Sequence, residues 1–155
     1  CGIVPNIKRL AEEKLQITLA LSLHGSSQEK RQELMPIAYQ YDLSEVLAAC
    51  EEYFEKTGRR ITFEYSLVQG VNDTAEDAAR LIKMLGHMNC HMNLIPVNPI
   101  KERAFQKPSR KNAEEFKNKL EHSGINVTIR RERGSDIDGA CGQLRRRHIT
   151  SKKEN

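Results

Sequence analysis

One cysteine stands out by its surroundings. Cys141 lies in Gly139-Ala140-Cys141-Gly142, between small residues that let a backbone come close to a ligand. Arginines stand on both sides, from Arg130, Arg131 and Arg133 to Arg145, and positive charge favours a thiolate over a thiol. These features make Cys141 a candidate nucleophile, against the plainer alternative of an unreactive loop cysteine. Cys50 sits inside the apolar stripe Val46-Leu47-Ala49-Cys50 and is expected in a core. His87, Cys90 and His91 fall at a helix-to-strand join, but two imidazoles and one thiol are too few protein ligands for a closed structural zinc site. No phosphate-cradling glycine loop, H-E-x-x-H or G-x-S-x-G occurs, so a nucleotide hydrolase or serine esterase has no local support. A cysteine hydrolase built on Cys141 and His24 lacks an evident group to orient the imidazole.

Other polar residues gather at the C-terminal ends of the expected strands. They are Ser22 and His24, then Glu64 and Ser66 leading into Asn72, then Asn93 and Asn98. Arg130, Arg133 and Cys141 follow the last strand. Ligands of α/β sheets and barrels bind at that edge, where loops and helix N-termini converge. Ser22 and His24 share a strand face with Thr18 and Ala20, and such a small, polar face suits a ligand pocket better than a packed core. Asn72 and Ser26 read instead as turn and cap residues.

Hydrophobic periodicity supplies the elements that must position these groups. Residues 16–24 alternate as a strand and Gly25 breaks it. Ser26 and Glu29 form a candidate capping box for a short helix stopped near Pro36, and Asp42 with Glu45 opens a second helix ending at Gly58. A strand over 60–67, a turn at 70–73, and a helix from Asp73 to about Leu85, capped by Asp73 with Glu76, come next. A strand over 91–96, a helix from Ser109 to about His122, and a strand over 126–131 complete the series. Strands separated by helices imply βα crossovers and therefore a parallel sheet. Four strands cannot close an eight-stranded barrel, so the expected fold is α/β: half of a barrel, or part of a curved open sheet.

The composition agrees with one folded unit. The chain has 155 residues, of which 38% are hydrophobic and 30% charged, with a formal net charge of +4. No apolar run approaches the roughly 20 residues that span a bilayer. Four widely spaced cysteines (Cys1, Cys50, Cys90, Cys141) without a signal-like segment favour reduced thiols and a cytoplasmic setting. The opening Cys1-Gly2-Ile3-Val4-Pro5 reads as a piece of something longer. Arg145, Arg146, Arg147, Lys152 and Lys153 make a basic end, expected as a disordered tail over 146–155 or as a phosphate-binding arm.

Four segments, in this order and spacing, carry a family resemblance. Ser22-Leu23-His24, Val71-Asn72-Asp73, Asn93-Leu94-Ile95-Pro96-Val97-Asn98-Pro99 and Gly139-Ala140-Cys141-Gly142-Gln143-Leu144 resemble the bacterial radical-SAM RNA adenine C2-methyltransferases, from Cys1 to about Arg145. A paralogous group methylates C8 of the same adenine, but residues 131–138 and Val97-Asn98-Pro99 look more like the C2 enzymes. The resemblance implies the second half of a radical-SAM partial (β/α) barrel, about four mainly parallel strands alternating with helices, over residues 1–145. It implies S-adenosylmethionine (SAM) contacts at Ser22, Leu23, His24 and Asn98, and 23S rRNA and tRNA as partners. Adenine C2 is an electron-poor amidine carbon that cannot attack a methylsulfonium. The family solution, carried to this sequence, methylates Cys141 with one SAM. A radical from a second SAM then turns that methyl into a carbon radical that adds to C2, and a second cysteine releases the adduct. The family's [4Fe-4S] cluster is held by C-x-x-x-C-x-x-C, which this sequence lacks. Its ligands, the resolving cysteine, an acidic residue managing the C2 proton and an accessory domain are therefore implied upstream, and the isolated chain is expected to be inactive. The alternative reading is a non-catalytic basic RNA- or ribosome-binding module of the same fold.

Overall fold

The computed structural model describes residues 2–13, 15–97 and 105–130. Cys1, Asn98, Arg131, Arg133, Cys141 and the basic end lie outside the described residues. The elements run α1 (Val4–Glu12), β1 (Ala20–Ser22), α2 (Gln28–Leu34), a 3-10 turn (Pro36–Tyr39), α3 (Leu43–Thr57), β2 (Ile61–Leu67), α4 (Ala75–Leu85), β3 (Cys90–Pro96), α5 (Arg110–His122) and β4 (Asn126–Ile129). All three strand pairings are parallel and the order is β1-β2-β3-β4, the sheet expected from the strand–helix alternation. Each crossover thus steps the chain one strand further in the same direction.

Local chemistry sets the element ends. Asp42 and Glu45 cap α3 as expected, the Asp42 amide donating to the Glu45 carboxylate at 3.0 Å, and Gly58 closes the helix at φ 66°. Two expected caps move by one residue. Ser27, not Ser26, is the N-cap of α2, accepting from the Lys30 amide. Thr74, not Asp73, caps α4, in a reciprocal box with Asp77. Both displaced residues have other partners: Ser26 donates its hydroxyl to the buried Asp77, and Asp73 accepts from the Gly70 amide within the turn. The first strand is only three residues, shorter than its alternating sequence, and the last stops at Ile129. Helix α1 was not anticipated. Pro5 sits in its first turn, where the missing N–H has no helical partner to lose, and Ile7 and Ala11 are buried one turn apart.

The sheet has two unlike faces. Leu21, Ile61, Phe63, Tyr65, Leu67, Cys90, Met92, Leu94 and Val127 point to one side and join the buried residues of α1, α3, α4 and α5 in a single core. Full burial of aromatic or aliphatic side chains such as these contributes about 1.5–3 kcal/mol each. Tyr65 stacks on Phe116 of α5 with ring centroids 5.8 Å apart. The other face is polar.

Candidate functional site

Parallel register lines the polar residues of neighbouring strands into rows. One row reads Ala20, Thr62, His91, Asn126, and the next reads Ser22, Glu64, Asn93, Thr128. Ser66 and Ile95 continue the face towards the C-terminal edge. The β2 and β3 members are half-buried and Asn126 and Thr128 are exposed. Side chains link across the strands: Asn93 Nδ2 donates to Glu64 Oε1 at 3.2 Å, Thr128 Oγ1 lies 3.4 Å from Asn93 Oδ1, and His91 Nε2 lies 3.0 Å from Thr128 Oγ1. Desolvation pushes the His91 imidazole below its ordinary pKa, Arg60 adding to this and Glu64 opposing it.

The segment Ser22-Leu23-His24 ends β1 at this edge. Ser22 is half-buried opposite Glu64, and Leu23 is fully buried, its amide donating to the Glu64 carbonyl at 2.9 Å. His24 takes a left-handed backbone, φ 56°, which turns the chain out of the strand and is uncommon for a residue with a side chain. Gly25 follows where α2 presses close. A Cβ there would lie 2.6 Å from the Arg31 backbone nitrogen, so only glycine fits.

The His24 ring is held on one side by main chain. The Ser66 amide donates to His24 Nδ1 at 2.9 Å, so in the neutral ring the proton resides on Nε2. Burial lowers the imidazole pKa, with Glu64 opposing and Arg31 reinforcing, which keeps the ring neutral. Asn72 completes the clamp. Its Nδ2 donates to the His24 and Ser66 carbonyls at 2.8 and 2.7 Å, and its Oδ1 accepts from the Val68 amide at 2.8 Å. Tyr65 Oη donates to the Asn72 carbonyl at 2.8 Å. Asn72 is completely buried, which gives it the turn-building role read from the sequence.

Behind the clamp, Lys30 Nζ binds both Asp77 oxygens, at 2.6 and 2.8 Å, and Ser26 and Thr74 also donate to this carboxylate. Burial alone would raise the Asp77 carboxyl; the hydrogen bonds from Lys30, Ser26 and Thr74 outweigh it and hold the group below its ordinary pKa. Cys50 and Cys90 are buried, and desolvation pushes their thiols up to about 12 and about 11. Cys50 is the core residue its stripe predicts. Cys90 faces the core while His91 faces the polar side, and His87 pairs with Glu51 at 2.7 Å, so the three do not converge. Among the described residues no three His, Cys, Asp or Glu side chains form a metal-binding group.

The structure therefore brings together Ser22, Leu23, His24, Glu64, Ser66 and Asn72, with Asn93 on the adjoining strand. Asn98 and Cys141 lie outside the described residues. The sequence reading missed Thr62, His91 and Thr128 as members of the polar face. Their signal was the period-2 recurrence of polar residues in each strand. It also missed Arg31, an arginine in a charged helix whose pattern gives no sign of burial.

Comparison with known proteins gives concordant results. No family model matches. The chain is 59% identical over 152 residues to a "Probable dual-specificity RNA methyltransferase RlmN" of Clostridium perfringens, covering 98% of this chain and 44% of that protein. A protein of the same name from Lachnospira eligens is 60% identical over 149 residues, 96% of this chain and 43% of its own length. The chain thus spans less than half the length of the curated relatives it matches. Among solved structures, a radical SAM methyltransferase from Sphaerobacter thermophilus superposes with a TM-score of 0.87 at 45% identity, over 92% of this chain and 42% of that one. A domain of a pyruvate-formate lyase-activating enzyme from Bacteroides vulgatus shares the fold alone, with a TM-score of 0.65 at 14% identity over 84% of this chain and 76% of that one. The parallel sheet and its helices accordingly match part of the fold of that radical SAM methyltransferase. No described helix is long and apolar enough to cross a membrane.

Proposed function

We propose that this chain, homologous over nearly its whole length to a segment of radical-SAM RNA methyltransferases, is the C-terminal half of such an enzyme's catalytic barrel. In this reading the whole enzyme works in the cytoplasm and methylates C2 of adenine in 23S rRNA and tRNA. The observation that carries it is the polar sheet face ending in the clamped Ser22-Leu23-His24 turn, in a chain 59% identical to a named RNA methyltransferase.

The donor set fits S-adenosylmethionine. A ring held neutral, with Nδ1 occupied by the Ser66 amide, presents an Nε2–H donor, and the hydroxyl, amide and carboxylate groups of the neighbouring rows suit a polar zwitterion with a sulfonium. When bound, that cofactor supplies the methyl group and the radical initiator. Ser22 and His24 would hold it, with Asn98 contributing from the segment after β3, while Leu23, buried in the core, would fix the turn between them. Asn72 fixes the geometry by tying the ends of β1 and β2 together. Cys141, flanked by glycines and arginines, takes up a methyl group as a thioether and carries that carbon to the RNA. Arg130 and the cations from Arg145 to Lys153 steady phosphates without reading sequence. The [4Fe-4S] cluster is held elsewhere in the polypeptide, because this sequence has no C-x-x-x-C-x-x-C, and the isolated chain is inactive.

The test is to react the full-length protein, reconstituted with iron and sulfide, with 23S rRNA fragments and tRNA, and to identify the methylated nucleoside by mass spectrometry. 2-Methyladenosine is the expected product. 8-Methyladenosine would assign the chain to the paralogous enzymes. No methylation, with a salt-sensitive RNA affinity that survives Cys141→Ala, would mark a non-catalytic RNA-binding module.

A further inference from the structure

Arg31 is the least compensated group among the described residues. It is 1% exposed, yet Nη1 and Nη2 are buried without a hydrogen-bond partner. Nε alone is engaged, donating to the Leu23 carbonyl at 3.1 Å. No carboxylate among the described residues pairs with it. The fork lies beside Gly2: a Cβ built there would lie 3.3 Å from Nη2 and in contact with the Leu21 and Val46 side chains, and the buried Cys50 thiol is the nearby ionisable group that acts on the guanidinium. A buried guanidinium left in this state is strongly unfavourable, so the fork requires acceptors that these residues do not provide.

Three features indicate where the acceptors come from. The fork abuts Gly2, two residues before α1 begins. In a strand–helix alternation the segment entering a helix is the end of the strand before it. The sheet order rises strictly from β1 to β4, so a strand preceding α1 falls beside β1, on the side away from β2. Neighbouring strands lie about 4.8 Å apart, so a planar fork already gripping one strand-end carbonyl can reach the carbonyls of the next. The curated relatives carry more than half their length outside the matched stretch, enough to supply that strand.

We infer that Arg31 is a clasp between barrel strands. Its Nε holds the Leu23 carbonyl at the end of β1, and its Nη1 and Nη2 donate to main-chain carbonyls at the C-terminal end of a further strand of the same polypeptide, laid beside β1. This rests on the reading of the chain as part of a larger barrel. Arg31 is a positioning residue: by gripping Leu23 it sets the Ser22-Leu23-His24 turn relative to the strand that enters α1.

The deciding experiment is a crystal structure of the full-length protein, with the thermal midpoints of Arg31→Met and Arg31→Lys beside the wild type. A strand beside β1 with Nη1 and Nη2 on its main-chain carbonyls is the expected result. Arg31→Met then lowers the midpoint by several degrees, because buried carbonyls lose their donors, and Arg31→Lys falls in between. A strand beside β1 with the fork on a carboxylate, on water or bare overturns the clasp alone. No strand beside β1 overturns the larger-barrel reading with it. A midpoint for Arg31→Met unchanged or raised also overturns the clasp, since replacing an unpaired buried charge by an apolar chain relieves desolvation.

Discussion

The main-chain amide of Ser66, on β2, donates to Nδ1 of His24, just past the end of β1, at 2.9 Å. A strand backbone thereby selects a histidine tautomer, and it does so in the turn proposed to hold the cofactor. The same bond resists protonation, since an imidazolium has no lone pair to accept it.

The pH dependence follows with a definite sign. The folded pKa of His24 lies below its ordinary value, so on acidification the unfolded chain takes up a proton before the folded one does. The stabilisation from the neutral ring is complete above the ordinary imidazole pKa and is lost as pH falls through that value towards the folded one. His24→Asn keeps an acceptor and tolerates the left-handed backbone but cannot titrate. Urea midpoints measured from about pH 8 to about pH 5 should fall more steeply for the wild type than for His24→Asn. Parallel curves would refute the assignment.

Asn72 is the strongest single test of the strand-end clamp. Asn72→Ala leaves the His24 and Ser66 carbonyls and the Val68 amide without partners in a buried site, and should cost about 3 kcal/mol in denaturant unfolding. Asn72→Asp should cost more, because it sets a carboxylate oxygen against two carbonyl oxygens. A loss below about 1 kcal/mol for Asn72→Ala would show that the turn stands without the amide.

The cysteines divide by environment. With thiols pushed up to about 12 and about 11, Cys50 and Cys90 are protonated and shielded. In native protein a small disulfide reagent should leave both unmodified, and both should label once denaturant is added. Native labelling of Cys50 or Cys90 would contradict this.

Much of this was legible in the sequence, for reasons that differ by element. The strand over 60–67 and the helices opened by Asp42 and Ser109 announce themselves by strict alternation or by cap chemistry, and the structure places them within a residue or two. Ser26 and Asp73 misled because Ser-Ser and Asp-Thr offer two adjacent oxygens, and only tertiary packing decides which one caps. Ser26 is drawn inward by Asp77, 51 positions away. Helix α1 is short and buries only Ile7 and Ala11, too brief a stripe to stand out in the sequence, although Pro5 in its first turn is compatible with a helix. The polar face was half visible: Ser22, His24, Glu64 and Asn93 were named from their strand ends. His91 and Thr128 belong to the same period-2 recurrence, and the parallel register sets them side by side. Nothing local could have revealed that Arg31 is buried, since its partner Leu23 and its neighbour Val46 are brought to it by the fold.

The central claim, that this chain carries the methyl-bearing cysteine of an RNA methyltransferase, is tested most directly at Cys141. The full-length protein, purified from cells supplied with isotopically labelled methionine, would be digested and the Cys141 peptide weighed. The peptide is expected to gain one labelled methyl group, Cys141→Ala to abolish both this mark and RNA methylation, and Cys50 and Cys90 to stay unmodified. An unmethylated Cys141 in a protein whose Cys141→Ala variant still methylates RNA would contradict it.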